Sequence, residues 1–138
     1  MTLSEAAEPA SSLRVLVAED NVLNQKVIVR LVRSLGCAVE VAANGLEVLA
    51  ACRACRFDLV LMDIRMPEMD GLEAARLLRA ELPAGQQPHI YALTAGIAPE
   101  DRQACFEAGM EGFVAKPVLR EDLQALLAGL ANSDSSAA

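Results

Sequence analysis

The chain has 138 residues, 54% of them hydrophobic but only 3% aromatic, with a net charge of -7 and a pI near 4.7. That length suits one compact domain, its hydrophobic content excludes disorder for the body of the chain, and its core must be built from Leu, Val, Ile and Ala. The acidic balance argues against direct nucleic-acid binding, which phosphate neutralisation drives, and favours protein or cation partners.

Residues 1–12 are small, polar and without periodicity, as a flexible N-terminal tail is, and MTLSEAAEPASS lacks the basic and apolar pattern of a signal peptide. RVLVA at 14–18 reads as a strand. Leu23, Val27, Leu31 and Leu35 then recur at helical spacing, and Gly36 suits a helix C-cap. CAVEVA at 37–42 is a second strand, ended by an Asn44-Gly45 turn, after which Leu46, Leu49 and Cys52 continue as a helix. DLVLMD at 58–63 is the third strand, and a helix from about Gly71 to Leu82 follows its loop.

HIYALTA at 89–95 is the fourth strand, with His89 a surface or edge residue beside Pro88. Pro99, Glu100 and Asp101 open the next helix and Gly109 closes it. GFVAK at 112–116 is a short fifth strand, and Leu123, Leu126, Leu127 and Leu130 stripe the last helix. Residues 132–138 read as a flexible C-terminal tail, leaving 13–131 as the folded domain. No apolar run approaches the roughly 20 residues that span a bilayer. A soluble, cytoplasmic protein without membrane insertion is therefore expected.

Cys52 and Cys55 form one CxxC, but no second pair follows at zinc-site spacing, so the four cysteines read as structural thiols in a reducing compartment. Met62, Met66 and Met69 are expected to pack the loop after the third strand.

Five strand-helix repeats imply an α/β fold, a doubly wound parallel sheet covered on both faces, with the nearly all-apolar first and third strands central. Sites in this class collect outside the carboxyl ends of the strands. Glu19 and Asp20 follow the first strand, Asp63 ends the third, Thr94 the fourth and Lys116 the fifth. Three carboxylates in one crevice are costly unless a cation joins them. An all-oxygen site with open positions suits Mg2+, which binds through one or two carboxylates, keeps several waters and accepts a phosphate.

AED at 18–20, LMDIRMPEMDG at 61–71, ALTA at 92–95 and AKP at 115–117 resemble the response-regulator receiver domain of two-component signalling, and the match covers residues 13–131. The resemblance implies a flavodoxin-like sheet of order 2-1-3-4-5 with five helices. It implies that Asp63 is the phosphoacceptor, taking a phosphoryl group from a partner phosphohistidine. Mg2+, or Mn2+ in its place, would be held by Asp63, Asp20, the Arg65 backbone carbonyl and, through metal-bound water, Glu19. Lys116 would pair with a phosphoryl oxygen, Thr94 would bind another, and Phe113 would fill the space that Thr94 vacates. Lys116-Pro117 is expected to be cis, and the Asp70-Gly71 turn to shape the loop.

Asn21, Asn24, Gln25 and Lys26 in EDNVLNQKV resemble receivers of hybrid histidine kinases. That implies a histidine kinase or histidine phosphotransfer protein as partner, docking near the first helix. Arg65 and Gly96 fall where the path of hydrolytic water is bordered and should tune phosphate lifetime. The chain is expected to be a signalling switch with only slow autodephosphorylation rather than an enzyme. One alternative is a haloacid-dehalogenase-type phosphatase, but that wants an acid two residues after the nucleophile, where Arg65 stands. A phosphate-independent interaction module is another, and a flavin carrier is disfavoured by the first loop.

Overall fold

RVLVA and LVLMD pair side by side as β1 (Arg14–Ala18) and β3 (Leu59–Asp63), buried along nearly their whole length. In the computed structural model, which describes residues 13–95 and 99–137 with 131–137 in backbone only, they form the interior of one parallel sheet. The other strands are β2 (Ala38–Ala42), β4 (His89–Thr94) and β5 (Gly112–Ala115), in the order β2-β1-β3-β4-β5. Five helices cover it: α1 (Val22–Ser34), α2 (Gly45–Ala54), α3 (Gly71–Glu81), α4 (Pro99–Glu107) and α5 (Arg120–Ala137). This is the expected doubly wound, flavodoxin-like α/β architecture.

Strand side chains alternate between faces, so the sheet feeds two cores. Leu16, Val60, Met62 and Ile90 meet α2, α3 and α4, whereas Val15, Val17, Leu59 and Leu61 meet α1 and α5. Met66 joins the first core and Met69 packs against it, as the loop reading expects.

Helix α1 departs from the simplest reading of its periodicity. Ile28 and Val32 face the sheet, with Leu31 and Leu35 half-buried or packed at the margin, while Leu23 is 69% and Val27 50% exposed. The helix carries two adjacent apolar stripes, and the β-branched one is buried. On α2, Val48, Leu49 and Cys52 are buried but Leu46 is exposed. Asn44-Gly45 is not a free-standing turn. Asn44 caps α2, its side chain accepting from the Glu47 N–H at 2.9 Å, while Glu47 accepts from the Ala43 N–H at 2.8 Å.

Residues 132–137, read from sequence as tail, continue α5 in backbone, since no Gly or Pro stops the helix there. Residues 1–12 and Gly96 lie outside the described residues. Among the described residues no helix is long and apolar enough to cross a membrane.

The N-terminal ends of the strands are tied together by two side chains. Half-buried Arg79 donates to the carbonyls of Gly109 (2.9 Å) and Pro88 (2.7 Å) and to the side chains of Gln87 and Glu111. Gln87 in turn donates to the Leu78 and Leu82 carbonyls at the end of α3. His89 is half-buried at this rim, its Nδ1 2.8 Å from a Glu111 oxygen.

The described cysteines are free, and Cys37, Cys52 and Cys105 are buried. Burial pushes the Cys52 thiol up to about 11, which suppresses the thiolate that redox or metal chemistry needs.

Candidate functional site

Because all five strands run parallel, their carboxyl ends share one rim, and the residues that follow them meet there. Glu19, Asp20 and Asp63 each present a carboxylate oxygen within 4.8 Å of the others. The fifth strand brings in the cation. Lys116 Nζ lies 2.8 Å from Glu19 Oε1 and 2.8 Å from Asp63 Oδ2.

Glu19 is 1% exposed, the only buried charged residue among those described. It is tolerated because each oxygen has a donor: Lys116 for Oε1, and the Asn21 N–H, at 3.1 Å, for Oε2. Asp63 is more open, and its Oδ1 accepts from the Arg65 N–H at 3.1 Å. Burial alone would lower the Lys116 pKa, but hydrogen bonds and charge from Asp63 and Glu19 outweigh it and hold the ammonium above the ordinary lysine value.

The local sequence explains the aim of Asp63. Gly71 donates its N–H to the Ile64 carbonyl at 2.8 Å, and a Cβ on it would strike the backbone carbonyl oxygen of Asp63. Only glycine lets the loop fold back so closely. Asp70 then caps α3, accepting from the Glu73 N–H at 2.9 Å. Across the loop, the Gly45 N–H at the start of α2 donates to the Met69 carbonyl at 2.9 Å. Lys116-Pro117 is cis, as expected.

A cleft of about 570 Å³ opens over Asp63, bordered by Arg65, Thr94, Lys116, Asp70 and Asp101. Thr94 stands at the end of β4, its carbonyl accepting from the Lys116 N–H at 2.8 Å. Pairing of Ala92 with Phe113 and of Thr94 with Ala115 puts Thr94 and Phe113 on one face of the sheet. Phe113 is half-buried, edge-on to Phe106 with centroids 5.4 Å apart and with the Arg102 guanidinium 5.6 Å from its ring centre.

The donor set is hard oxygen throughout, with no described His or Cys in the cluster, so the residues present fit Mg2+ or Mn2+ rather than zinc. Sequence reasoning brought Glu19, Asp20, Asp63 and Lys116 to one rim, and there the structure has them. It did not foresee Gln25, whose side chain donates to the Glu19 carbonyl at 2.6 Å. The available signal was a polar residue in the same helical stripe as Ile28 and Val32.

Comparison with known proteins agrees with this geometry. Residues 15–128 match the response regulator receiver domain. Histidine protein kinase 1 of Candida albicans is 39% identical over 124 residues, covering 83% of this chain. The chain spans only 5% of that kinase's length. Among solved structures, the receiver domain of a Pseudomonas aeruginosa PAO1 sensor histidine kinase, with magnesium coordinated in its active-site cleft, is 38% identical with a TM-score of 0.80, covering 88% of this chain and 99% of that one. The receiver domain of Saccharomyces cerevisiae Ssk1 in complex with the histidine phosphotransfer protein Ypd1 is 25% identical with a TM-score of 0.81, covering 90% of this chain and 92% of the matched one. An acidic triad and a lysine at the carboxyl rim of a 2-1-3-4-5 sheet, matched in sequence across nearly the whole described body, establish that this chain belongs to the response regulator receiver domain family.

Proposed function

We propose that the chain is the phosphoacceptor of a two-component or multistep phosphorelay, and that Asp63 carries the phosphoryl group. The observation that carries this reading is Asp63 itself, a carboxylate facing an open cleft while Lys116 and two further carboxylates surround it. An Asp63 oxygen attacks phosphorus as the P–N bond of a partner's phosphohistidine breaks. The bonding electrons leave with the imidazole, and an acyl phosphate remains on Asp63.

Glu19, Asp20, Asp63 and the Arg65 carbonyl would hold Mg2+, which when bound supplies positive charge against the phosphoryl oxygens. Lys116 supplies one further positive charge from this chain and pairs with a phosphoryl oxygen. Thr94 donates to another, and its shift toward the phosphate lets Phe113 repack, which biases the chain toward a signalling state only through contacts the resting state lacks.

Helix α1 is the docking face for a histidine kinase or histidine phosphotransfer protein. Its support is the exposed Leu23–Val27 stripe beside Lys26 and Arg30, a shallow apolar groove with a cationic edge. A phosphatase is disfavoured because the position two residues after Asp63 holds exposed Arg65 instead of a second acid. The folded unit is taken to run from residue 13 through the end of α5, in the cytoplasm and within a signalling chain.

Intact mass after incubation with acetyl phosphate tests the reading, beside Asp63→Asn and a metal-free sample. A single phosphoryl gain by the wild type alone, and only with Mg2+, is expected. No gain from acetyl phosphate or from a phosphohistidine donor would leave a phosphate-independent interaction module.

A further inference from the structure

Glu19 has every polar group engaged. Its N–H donates to the Ala42 carbonyl at 3.0 Å, its two carboxylate oxygens meet Lys116 and the Asn21 N–H, and its own carbonyl accepts from Gln25 Nε2 at 2.6 Å. A carbonyl can only accept, so the amide face turned toward it is the NH2. The Gln25 bond is the one contact in this set that comes from the body of α1, where the Gln25 N–H also donates to the Asn21 carbonyl at 2.9 Å.

The Glu19 carbonyl and the Asp20 Cα lie in one peptide plane. Whatever fixes that carbonyl therefore fixes the Asp20 N and Cα, and with the next peptide held by the Asn21 N–H bond to Glu19 Oε2, Asp20 sits between two anchored peptides. Asp20 is exposed, and its carboxylate has no hydrogen-bond partner among the described residues, so its aim at the carboxylate cluster comes from the backbone. Gln25 itself is half-buried in the stripe of α1 that otherwise packs on the sheet. An amide there costs desolvation unless its hydrogen bond is made.

We infer that Gln25 is a positioning residue for divalent-cation capture, acting by locking the Glu19–Asp20 peptide so that the Asp20 carboxylate is aimed at the cluster before the cation arrives. The inference rests on the proposed reading of Glu19, Asp20 and Asp63 as a cation site. It differs from that reading in assigning the preorganisation to one neutral side chain outside the ligand set.

The test is calorimetric titration of the metal-free chain with Mg2+, alongside its thermal unfolding without metal, for the wild type, Gln25→Met and Gln25→Glu. Methionine keeps the length and helix preference of glutamine but removes the donor. Glutamate, a second variant should the first fold poorly, turns an acceptor toward the carbonyl. Gln25→Met should bind Mg2+ roughly tenfold more weakly than the wild type with metal-free melting nearly unchanged, while Gln25→Glu, its carboxylate half-buried against a carbonyl, should lose both affinity and metal-free melting temperature. Wild-type affinity in both variants overturns the inference, and so does a lower melting temperature with unchanged affinity, which marks Gln25 as a packing residue only. A wild type that binds no Mg2+ overturns the cation site itself, which separates the two failures.

Discussion

The ammonium of Lys116 lies 2.8 Å from Asp63 Oδ2 and, on its other side, 2.8 Å from Glu19 Oε1, across 97 positions of sequence. One cation thus serves two carboxylates, and removing it leaves Glu19 buried beside Asp20 and Asp63 with no counter-charge. Lys116→Met should cost about 2 kcal/mol of metal-free stability, below the full price of breaking a buried pair because Lys116 is partly exposed. Two further changes follow in opposite directions: Mg2+ should bind more tightly without a neighbouring ammonium, while phosphoryl transfer falls. Melting curves with and without Mg2+ check this, and a variant no more metal-dependent than the wild type would count against it.

Gly71 and Gly129 make a matched pair. At Gly71 a Cβ would strike the Asp63 carbonyl oxygen and press on the Met62 side chain, whereas at Gly129, on α5, nothing lies within 4 Å. Gly71→Ala should therefore lower stability by roughly 1–3 kcal/mol and disturb Asp63. Gly129→Ala should raise it by about 0.5–1 kcal/mol through helix preference and lost unfolded-state entropy. Urea unfolding of the two variants distinguishes backbone crowding from mere loss of glycine.

The Cys52 thiol, raised from 9.0 to about 11 by burial, links stability to alkaline pH. A group whose folded pKa is raised contributes stability that is fully present below the unfolded value and lost as pH climbs through the folded one. Between about pH 9 and 11 Cys52 should account for a loss of about 2–3 kcal/mol. Cys37 and Cys105 are also raised by burial and add to the slope. Cys52→Ala should flatten the alkaline limb of the stability curve, and native-state alkylation should reach half-buried Cys55 before Cys52.

Arg65 stands exposed at the border of the cleft, its backbone N–H bonded to Asp63. Arg65→Ala should change the rate of dephosphorylation without abolishing phosphorylation. Following loss of the phosphorylated mass over time checks this; equal lifetimes in variant and wild type would assign the arginine to solvent.

Much of the site was legible because a parallel sheet converts sequence order into spatial proximity. Once five strand ends are recognised, Glu19, Asp20, Asp63, Thr94 and Lys116 must share a rim, whatever their separation along the chain. Helix faces were less legible. Periodicity in α1 announces an apolar stripe, but Leu23–Val27 and Ile28–Val32 both satisfy it, and only packing chooses between them. Asn44-Gly45 misled for a related reason: the same dipeptide serves a turn or a helix cap, and Glu47, three residues on, was the distinguishing mark. Gln25 reads in sequence only as part of a polar helix start, since a side-chain bond to a backbone carbonyl leaves no mark in composition.

The tie made by Arg79 and Gln87 sits at the rim of the sheet opposite Asp63, and it fastens the end of α3, the turn after α4 and the starts of β4 and β5 to one another. Such fastening divides the molecule into an anchor and a working edge. The far rim, stapled through backbone carbonyls of α3, of the turn after α4 and of the residue before β4, has little freedom to follow a charge added at Asp63. A rearrangement set off at Asp63 would therefore find a fixed frame at the opposite rim, as a hinge lets a door move because its frame does not.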